Sequence, residues 1–380
     1  MTPDHLARLT QLRHELHQQP ELSGQEQATA ARMAEELRHA GAHSVLTGFG
    51  GHGVGAIFDS GQMGPCVAIR CELDGLPIQE LSDVPYRSQV SGKGHLCGHD
   101  GHMAMVLGLA LALQQQRPLR GRVALIFQPA EETGQGAKAY RADPRFAEVA
   151  PDYVFSLHNL PGLALGRVEL CKGPANCASC GMRIGLTGKT SHAAAPQDGV
   201  SPAGAVSALI PRLTGLGTGG DLSTDYALTT ITHARLGEQT FGVAPGQAEL
   251  WVTLRTVSDQ RMDKLVSDAE ALVQKVARSD GLSASITYED VFDACTNHAD
   301  AVDILSHACA AQNTTCDLTD QPQRFSEDFG QFSKGAKTAM FWLGAGRDHP
   351  QLHNPDYDFP DALIPVGTGI FLNAIRQILG

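Results

Sequence analysis

The stretch Arg-Val-Ala-Leu-Ile-Phe-Gln-Pro-Ala-Glu-Glu, residues 122–132, predicts a buried strand that runs directly into two adjacent carboxylates. Its first part, residues 122–128, is an apolar run of the length of one strand, as found in parallel sheets that are covered on both faces. Ligands of open α/β sheets bind outside the carboxyl ends of the strands. Glu131 and Glu132, which follow this strand, are therefore candidates for a functional site.

Three further segments repeat this arrangement of a short apolar strand followed by a polar side chain. The strands are predicted at Val67–Arg70, Tyr153–Leu157 and Thr338–Leu343, and the polar residues that follow them are Asp74, His158 and, after a loop, His353. Helical segments separate the strands, and the segment 102–116 is apolar nearly all round. Strands that alternate with helices predict a mostly parallel sheet with helices on both faces.

The segment from residue 181 to residue 288 has a different pattern. It alternates apolar and polar positions in several strands and contains two helical stretches, which predicts an antiparallel sheet packed against two helices. We therefore predict an α/β fold in which residues 1–180 and 289–380 form one discontinuous catalytic domain. The inserted residues 181–288 form an α+β domain of about the minimum size for an independent folding unit.

The composition excludes several classes of protein. The chain has 29 Lys+Arg and 41 Asp+Glu residues, and the net charge of −12 argues against a nucleic acid or an anionic membrane as a partner. No apolar run reaches the ~20 residues of a membrane span, and the N-terminus lacks the features of a secretory signal. Nine cysteines, an odd number, indicate reduced thiols rather than a disulfide framework, so we expect a cytoplasmic protein.

Cys97 and His99 bring a thiolate and an imidazole together between the first two predicted strands. These two donor types suit Zn²⁺ and other borderline transition metals better than Mg²⁺ or Ca²⁺. Glu132, His158 and His353 are further donors at the same edge of the predicted sheet. Together these residues predict a metal site.

The doublet Glu131-Glu132 allows two carboxylates to take different roles, because adjacent side chains after a strand point in different directions. One carboxylate can bind a metal ion while the other acts as a general base on a water molecule near that ion. A solvated pair at a helix N-terminus is the alternative for the doublet taken alone.

Several longer motifs are distributed over nearly the whole chain. They are RHELHQQPELS at residues 13–23, ELDGLP at 72–77, CGHDGH at 97–102, QPAEE at 128–132, GKTSHAA at 188–194, SEDF at 326–329 and LHNPDYDF at 352–359. On these motifs the chain resembles the M20 metallopeptidases. The resemblance is to the amidohydrolase branch, which includes hippurate hydrolases, N-acyl-amino-acid amidohydrolases and auxin-conjugate hydrolases.

The resemblance implies a binuclear site with two divalent metal ions per subunit, with Zn²⁺ favoured and Mn²⁺, Co²⁺ or Ni²⁺ as alternatives. The implied bridging ligand is Cys97, and the other implied ligands are His99, Glu132, His158 and His353. Glu131 takes the position of the general base and acid, and Asp74 that of an aspartate that supports the ligands. The implied reaction is hydrolysis of the non-cyclic amide bond of a small N-acyl or N-aroyl amino acid, or a related conjugate, by a metal-bound water that Glu131 activates.

In proteins of this branch the inserted domain acts as a lid and pairs with its copy, so the resemblance implies a homodimer, or a dimer of dimers, formed through that domain. His192 would then reach the active site of the partner subunit and polarise the amide carbonyl.

The chain differs from the pattern of this branch at Gly242, which stands where relatives carry an asparagine that helps hold the substrate. Arg235 and Arg255 are candidates to replace that asparagine by charge alone, and each fits a structural surface role equally well.

Two other functions fit parts of the sequence. Cys97 with a histidine base would make a cysteine-nucleophile amidase, which chelation of metal ions would leave active. A non-catalytic small-molecule binding protein of the same fold would lack the general base or several ligands, and all of these residues are present here.

Overall fold

The structure, a computed structural model, describes residues 1–380, which form two compact units. The first unit consists of Met1–Ala175, Cys295–Gln321 and Asp328–Gly380, and the second of Asn176–Ala294 and Pro322–Glu327. The predicted insert, residues 181–288, falls entirely within the second unit. The catalytic and dimerising roles assigned to the two parts stay predictions.

The chain contains nine α-helices and sixteen strands. The α-helices are α1 (Pro3–Gln18), α2 (Gln27–His39), α3 (His99–Gln115), α4 (Gly136–Ala142), α5 (Phe146–Val149), α6 (Ala203–Thr214), α7 (Asp259–Ser279), α8 (Ala299–Ala311) and α9 (Leu363–Leu379). The strands are β1 (Ser44–Phe49), β2 (Gly53–Asp59), β3 (Cys66–Glu72), β4 (Arg122–Gln128), β5 (Tyr153–Pro161), β6 (Val168–Cys171), β7 (Gly173–Asn176), β8 (Ala178–Thr187), β9 (Ser191–His192), β10 (Ala227–Leu236), β11 (Val243–Ala244), β12 (Gln247–Thr256), β13 (Ser283–Phe292), β14 (Cys295–Asn297), β15 (Cys316–Thr319) and β16 (Lys337–Gly346). Short 3-10 helices cover Pro196–Asp198 and Asp328–Ser333.

An eight-stranded sheet forms the centre of the first unit, with the strand order β1-β2-β4-β3-β5-β16-β6-β15. Strands β4, β3, β5 and β16 are parallel to their neighbours in this series, and β15 is parallel to β6. The pairs β1–β2, β2–β4 and β16–β6 are antiparallel. The predicted fold class, an α/β fold with a mostly parallel central sheet, is confirmed.

The central strands are buried along nearly their whole length. Every residue of β3 is buried, and so is every residue of β4 except Arg122, as expected for strands covered on both faces. Helix α3 is apolar nearly all round and buried over most of its length, and it lies against α1, α9 and β3. The sheet and this helix hold the chain segments from which the site is built.

One predicted strand boundary is wrong in a way that affects the site. The strand predicted at Tyr153–Leu157 continues to Pro161 as β5, so His158 lies inside the strand and not after it. The cause is long-range pairing, because β16 extends alongside β5 and places Trp342 opposite His158. The sequence around residue 158 does not contain this information.

The second unit contains a four-stranded antiparallel sheet in the order β10-β12-β8-β13. Burial alternates along β8 and β12, and the buried side chains pack against α6 and α7. Helix α7 begins at a Ser258 cap, whose hydroxyl accepts a hydrogen bond from the Arg261 amide at 3.3 Å. Among all the helices, none is long and apolar enough to cross a membrane.

A buried cluster of charged side chains joins α1 to α3. The Arg13 guanidinium and the His17 ring both donate to one oxygen of Asp100, at 2.7 and 2.9 Å, and His17 Nε2 lies 3.1 Å from Glu80 Oε1. The side chains of Arg13, His17 and Asp100 are completely buried. Burial lowers the pKa of His17, but the two carboxylates outweigh it and raise that pKa to about 9. His17 is therefore held as an imidazolium that donates from both nitrogens.

We expect this imidazolium to stabilise the fold in a pH-dependent way. Because the folded pKa of about 9 lies above the ordinary value of 6.5, the stabilisation is complete below pH 6.5 and is lost as the pH rises through 9. The difference in free energy of unfolding between the native chain and His17→Gln should shrink by about 3 kcal/mol across this range, since one pKa unit corresponds to about 1.4 kcal/mol. Urea unfolding at a series of pH values measures this difference. His5→Gln, in the same helix, is the control, and a difference for His17→Gln that does not change with pH would contradict the assignment.

Candidate metal centre

The turn before α3 brings Cys97 and His99 to the carboxyl edge of the sheet. Gly98 between them adopts φ 93°, a left-handed conformation that favours glycine. A Cβ atom at this position would lie 2.3 Å from Nδ2 of Asn159. Glycine is therefore required here both by the backbone angle and by the close approach of a buried amide.

Cys97, His99 and His158 form the first group of side chains that could hold a metal ion, with their donor atoms all within 4.8 Å of one another. The Cys97 Sγ atom lies 3.3 Å from Nε2 of His158. His158 Nδ1 donates to the carbonyl of Asn159 at 2.8 Å, and His99 Nδ1 donates to the backbone carbonyl of Asp74 at 2.8 Å. Each ring thus presents Nε2 as its donor atom for a metal ion.

Cys97 also belongs to a second group with Glu132 and His353, again with donor atoms within 4.8 Å of one another. Glu132 Oε2 lies 3.6 Å from Nε2 of His353, and Glu132 Oε1 lies 4.0 Å from Nε2 of His99. Glu131 Oε2 lies 3.8 Å from the same His99 atom. The structure therefore brings together all five predicted metal ligands and Glu131, and Cys97 is common to two of the groups.

Hydrogen bonds to two carboxylates position the loop that carries the glutamate doublet. Ala130, which precedes it, has φ 51°, and its amide donates to Glu26 Oε1 at 2.7 Å. The amide of Glu132 donates to Asp74 Oδ2 at 3.0 Å, and the Ser23 hydroxyl donates to the same oxygen at 2.7 Å. Asp74 Oδ1 lies 3.5 Å from Nδ1 of His99. Asp74 thus contacts two segments that carry predicted ligands.

The site concentrates negative charge around its donors. Burial, and next the carboxylates of Glu132 and Glu131, raise the pKa of the Cys97 thiol well above its usual value. Burial lowers the pKa of His99, but its hydrogen bond to Asp74 and the nearby carboxylates outweigh burial and raise that pKa to about 10. The carboxylates act in the same direction at both residues, and at His99 they outweigh burial, so this part of the site favours an added positive charge.

The donors present fit divalent metal ions. His99 Nε2 is buried and makes no hydrogen bond, although it faces two carboxylates and a thiol. A thiolate, imidazoles and carboxylates together are a donor set suited to Zn²⁺ and similar transition metals. A cation at this place would satisfy the buried ring nitrogen and allow Cys97 to lose its proton.

His192 and Gly242 lie close together in the second unit, at a small two-stranded sheet in which His192 belongs to β9 and Gly242 directly precedes β11. His192 is exposed, in β9 opposite Val243 of β11, and Ala193 donates to the carbonyl of Gly242 at 3.0 Å. Open space surrounds the position where Gly242 would carry a Cβ, so no neighbouring side chain explains the glycine. The role of His192 in the active site of a partner subunit stays a prediction.

The two arginines considered as replacements for the missing asparagine differ in their surroundings. Arg235 is exposed and lies 3.6 Å from Glu238. Arg255 Nη1 donates to the carbonyl of Arg324 at 3.1 Å and to the hydroxyl of Ser326 at 2.9 Å. Arg255 therefore links two segments of the second unit, whereas nothing of this kind fixes Arg235.

Sequence reasoning missed a buried network directly beside the ligands. Its members are Arg70, Glu72, His102, Asn159 and Tyr357. Three of them stand inside the recognised motifs, and Asn159 follows His158 in sequence. Their position beside predicted ligands was the available signal, but their contacts depend on how separate segments pack.

A thiol, imidazoles and adjacent carboxylates at the edge of an α/β sheet are features of metallohydrolases that use two metal ions. The chain belongs to peptidase family M20/M25/M40, whose sequence profile matches residues 68–377. The predicted family is confirmed, and with it the predicted class of enzyme, a metallo-amidohydrolase.

Individual relatives match over nearly the whole chain. The hippurate hydrolase of Campylobacter jejuni is 30% identical over 355 residues, which cover 93% of this chain and 92% of that protein. An N-acetylcysteine deacetylase of Bacillus subtilis is 28% identical over 365 residues, which cover 96% and 95%. The crystal structure of the Bacillus subtilis YXEP protein, described as a dinuclear metal-binding peptidase of the M20 family, has a TM-score of 0.84, 26% identity and coverage of 100% and 99%.

Because Cys97 belongs to two ligand groups and His353 to one, their substitutions should have different effects on metal binding. We expect the native chain to bind two Zn²⁺ ions. Cys97→Ser should weaken both by at least about tenfold, whereas His353→Ala should weaken mainly one. Titration calorimetry of the metal-free protein measures both affinities. Cys66→Ser is the control, since Cys66 is a buried thiol that bonds to the Val149 carbonyl; equal effects of Cys97→Ser and Cys66→Ser would contradict the site.

Proposed function

We propose that this protein hydrolyses the amide bond of a small N-acyl or N-aroyl amino acid, or of a related conjugate. The observation that carries the proposal is the position of the Glu131 carboxylate, 3.8 Å from His99 Nε2 and beside the two groups that share Cys97. The similarity to a hippurate hydrolase and to an N-acetylcysteine deacetylase supports this class of substrate.

The two adjacent glutamates have different proposed roles, Glu132 as a metal ligand and Glu131 as the general base. Glu132 lies near both His99 and His353 and is therefore proposed as a ligand. Glu131 lies near His99 and also near the carboxylates of Glu327 and Asp328, and it is proposed as the general base. When bound, two divalent ions supply Lewis-acid activation of a water molecule and of the amide carbonyl. Glu131 accepts the proton of the attacking water and returns it to the departing amine. The donor set favours Zn²⁺, with Mn²⁺, Co²⁺ and Ni²⁺ as alternatives.

The electrostatics of the site argue against the alternative of a cysteine nucleophile, although Cys97 Sγ lies 3.3 Å from His158 Nε2. A nucleophilic cysteine needs a lowered pKa, whereas burial and two carboxylates raise the pKa of Cys97 well above its usual value. Activity that survives removal of metal ions by a chelator would instead favour the nucleophile. The alternative of a non-catalytic binding protein does not explain why Glu131 stands among the predicted ligands.

We propose further that the protein is a homodimer, or a dimer of dimers, in the cytoplasm, and that the second unit supplies His192 to the partner's site. The Ala194 amide donates to Nδ1 of His192 at 3.0 Å, so the neutral ring carries its proton on Nε2. An exposed Nε2–H group is a suitable donor to the oxyanion that forms during amide hydrolysis.

Glu131→Gln should separate proton transfer from metal binding. Loss of the general base is expected to lower kcat by about 10²–10⁴-fold, while two ions remain bound because the ligands are unchanged. Hydrolysis of hippurate and N-acetylcysteine, together with metal analysis of the same samples, measures both properties. Glu35→Gln, an exposed glutamate of α2, is the control. Normal turnover by Glu131→Gln with both ions bound would contradict the proposed role of Glu131 as the general base.

Mixed dimers test whether His192 acts across subunits. His192→Ala should lower activity, because one donor to an oxyanion is worth about 10²–10³-fold in kcat. When His192→Ala and Glu131→Gln chains are refolded together, half of the dimers are mixed, and each mixed dimer holds one complete site. We therefore expect activity to recover to about a quarter of the native rate. If no activity returns, His192 does not act in the partner's site.

A further inference from the structure

Asn159 makes hydrogen bonds to four residues in and around the proposed site. Its side-chain Nδ2 donates to the carbonyl of Cys97 at 2.7 Å and to Nε2 of His102 at 3.1 Å, and its backbone amide lies 3.3 Å from the same His102 atom. Its backbone carbonyl accepts from His158 Nδ1 at 2.8 Å, and its Oδ1 accepts from the hydroxyl of Tyr357. One fully buried asparagine thus contacts two predicted metal ligands.

His102 is held in a single tautomer by its partners. Because Nε2 accepts from the amides of Asn159, the proton lies on Nδ1, which donates to Glu72 Oε2 at 2.7 Å. Glu72 is also paired with Arg70, whose guanidinium lies 2.6 Å from Asp328. Both ring nitrogens of His102 therefore make hydrogen bonds. The ring lies close enough to Glu72 and His99 to bind a metal ion with them, but these hydrogen bonds leave neither nitrogen available as a ligand.

We propose that Asn159 and His102 are positioning residues, which fix the Cys97 backbone and the His158 ring in the geometry that binds metal. The Asn159 carbonyl holds the Nδ1 proton of His158 and so directs Nε2 toward Cys97 Sγ, 3.3 Å away. The close approach of Asn159 to Gly98 restricts the turn that carries Cys97. His102 fixes Asn159 in turn, since a buried amide left without its acceptor carries a large desolvation penalty.

This inference rests on the proposed function, because it takes Cys97 and His158 as metal ligands. The variants are Asn159→Ala, His102→Ala and the conservative His102→Gln, whose side-chain oxygen can accept from Asn159. Metal-free protein is titrated with Co²⁺ and Zn²⁺, and the absorption spectrum of the Co²⁺ form reports the thiolate and imidazole ligands. We expect the two alanine variants to bind about 10–100-fold more weakly and to show altered Co²⁺ spectra, with most of the affinity restored in His102→Gln.

Asn297→Ala is the matched control. Asn297 is a buried asparagine of the same unit that bonds to the backbone of Cys171 and Met340 at 2.9–3.0 Å but to no predicted ligand. It should lower the free energy of unfolding without changing metal affinity or spectrum. If Asn159→Ala does not fold, Tyr357→Phe, which removes only one donor to Asn159, takes its place and should weaken binding several-fold.

The outcomes separate this inference from the proposed function. If the native chain binds no divalent ion, the proposed function fails and this inference fails with it. If the native chain binds two ions and the Asn159, His102 and Tyr357 variants bind them with unchanged affinity and spectrum, only the positioning role is overturned. An equal loss of affinity in Asn297→Ala would also overturn it, because the effect would then be a general result of lost stability.

Discussion

Four carboxylates, from Glu72, Asp74, Glu131 and Glu132, lie near His99 in a largely buried part of the first unit. Buried charge of one sign is unfavourable unless it is paired or its pKa shifts. The arginine of strand β3 pairs with Glu72, and the raised pKa of His99 shows where further positive charge is favoured. A bound divalent cation, as proposed, would meet this need more fully than a proton, because it also allows the thiol of Cys97 to ionise.

The arrangement of strands explains how residues far apart in sequence come together around this buried negative charge. Strands β3, β4, β5 and β16 are aligned in parallel, so the loops that follow them emerge at one edge. Two of the loops carry non-glycine residues with left-handed backbone angles, Ala130 at φ 51° and His353 at φ 65°. Such angles are unfavourable for these residues and persist only where the surrounding structure fixes them. Their occurrence beside predicted ligands fits a site whose geometry is set before a ligand binds.

Local patterns predicted the features that depend on local sequence. Strand β4 has the predicted bounds, Arg122–Gln128, because its apolar run ends at a proline that cannot extend the ladder. The position of His158 inside β5 was missed, because it results from pairing with a strand about 180 residues later. The same holds for the contact between Arg13 and Asp100, which are 87 residues apart, and for the contacts of Asn159. Donor types can be recognised in a motif, but the hydrogen bonds that orient them require the folded chain.

The division of residues between the two units separates two properties of the proposed enzyme. All five predicted ligands, Glu131 and the positioning pair lie in the first unit, so metal binding and proton transfer depend on one core. His192, which is proposed to contact the substrate's carbonyl, and Gly242, the position predicted to lack a substrate-holding side chain, lie in the second unit. His192 is exposed in the small sheet of β9 and β11, and Gly242, just before β11, has open space where a side chain would begin. Substitutions there would leave the buried charges of the first unit in place, so in the proposed enzyme the recognition of the substrate can vary separately from metal binding.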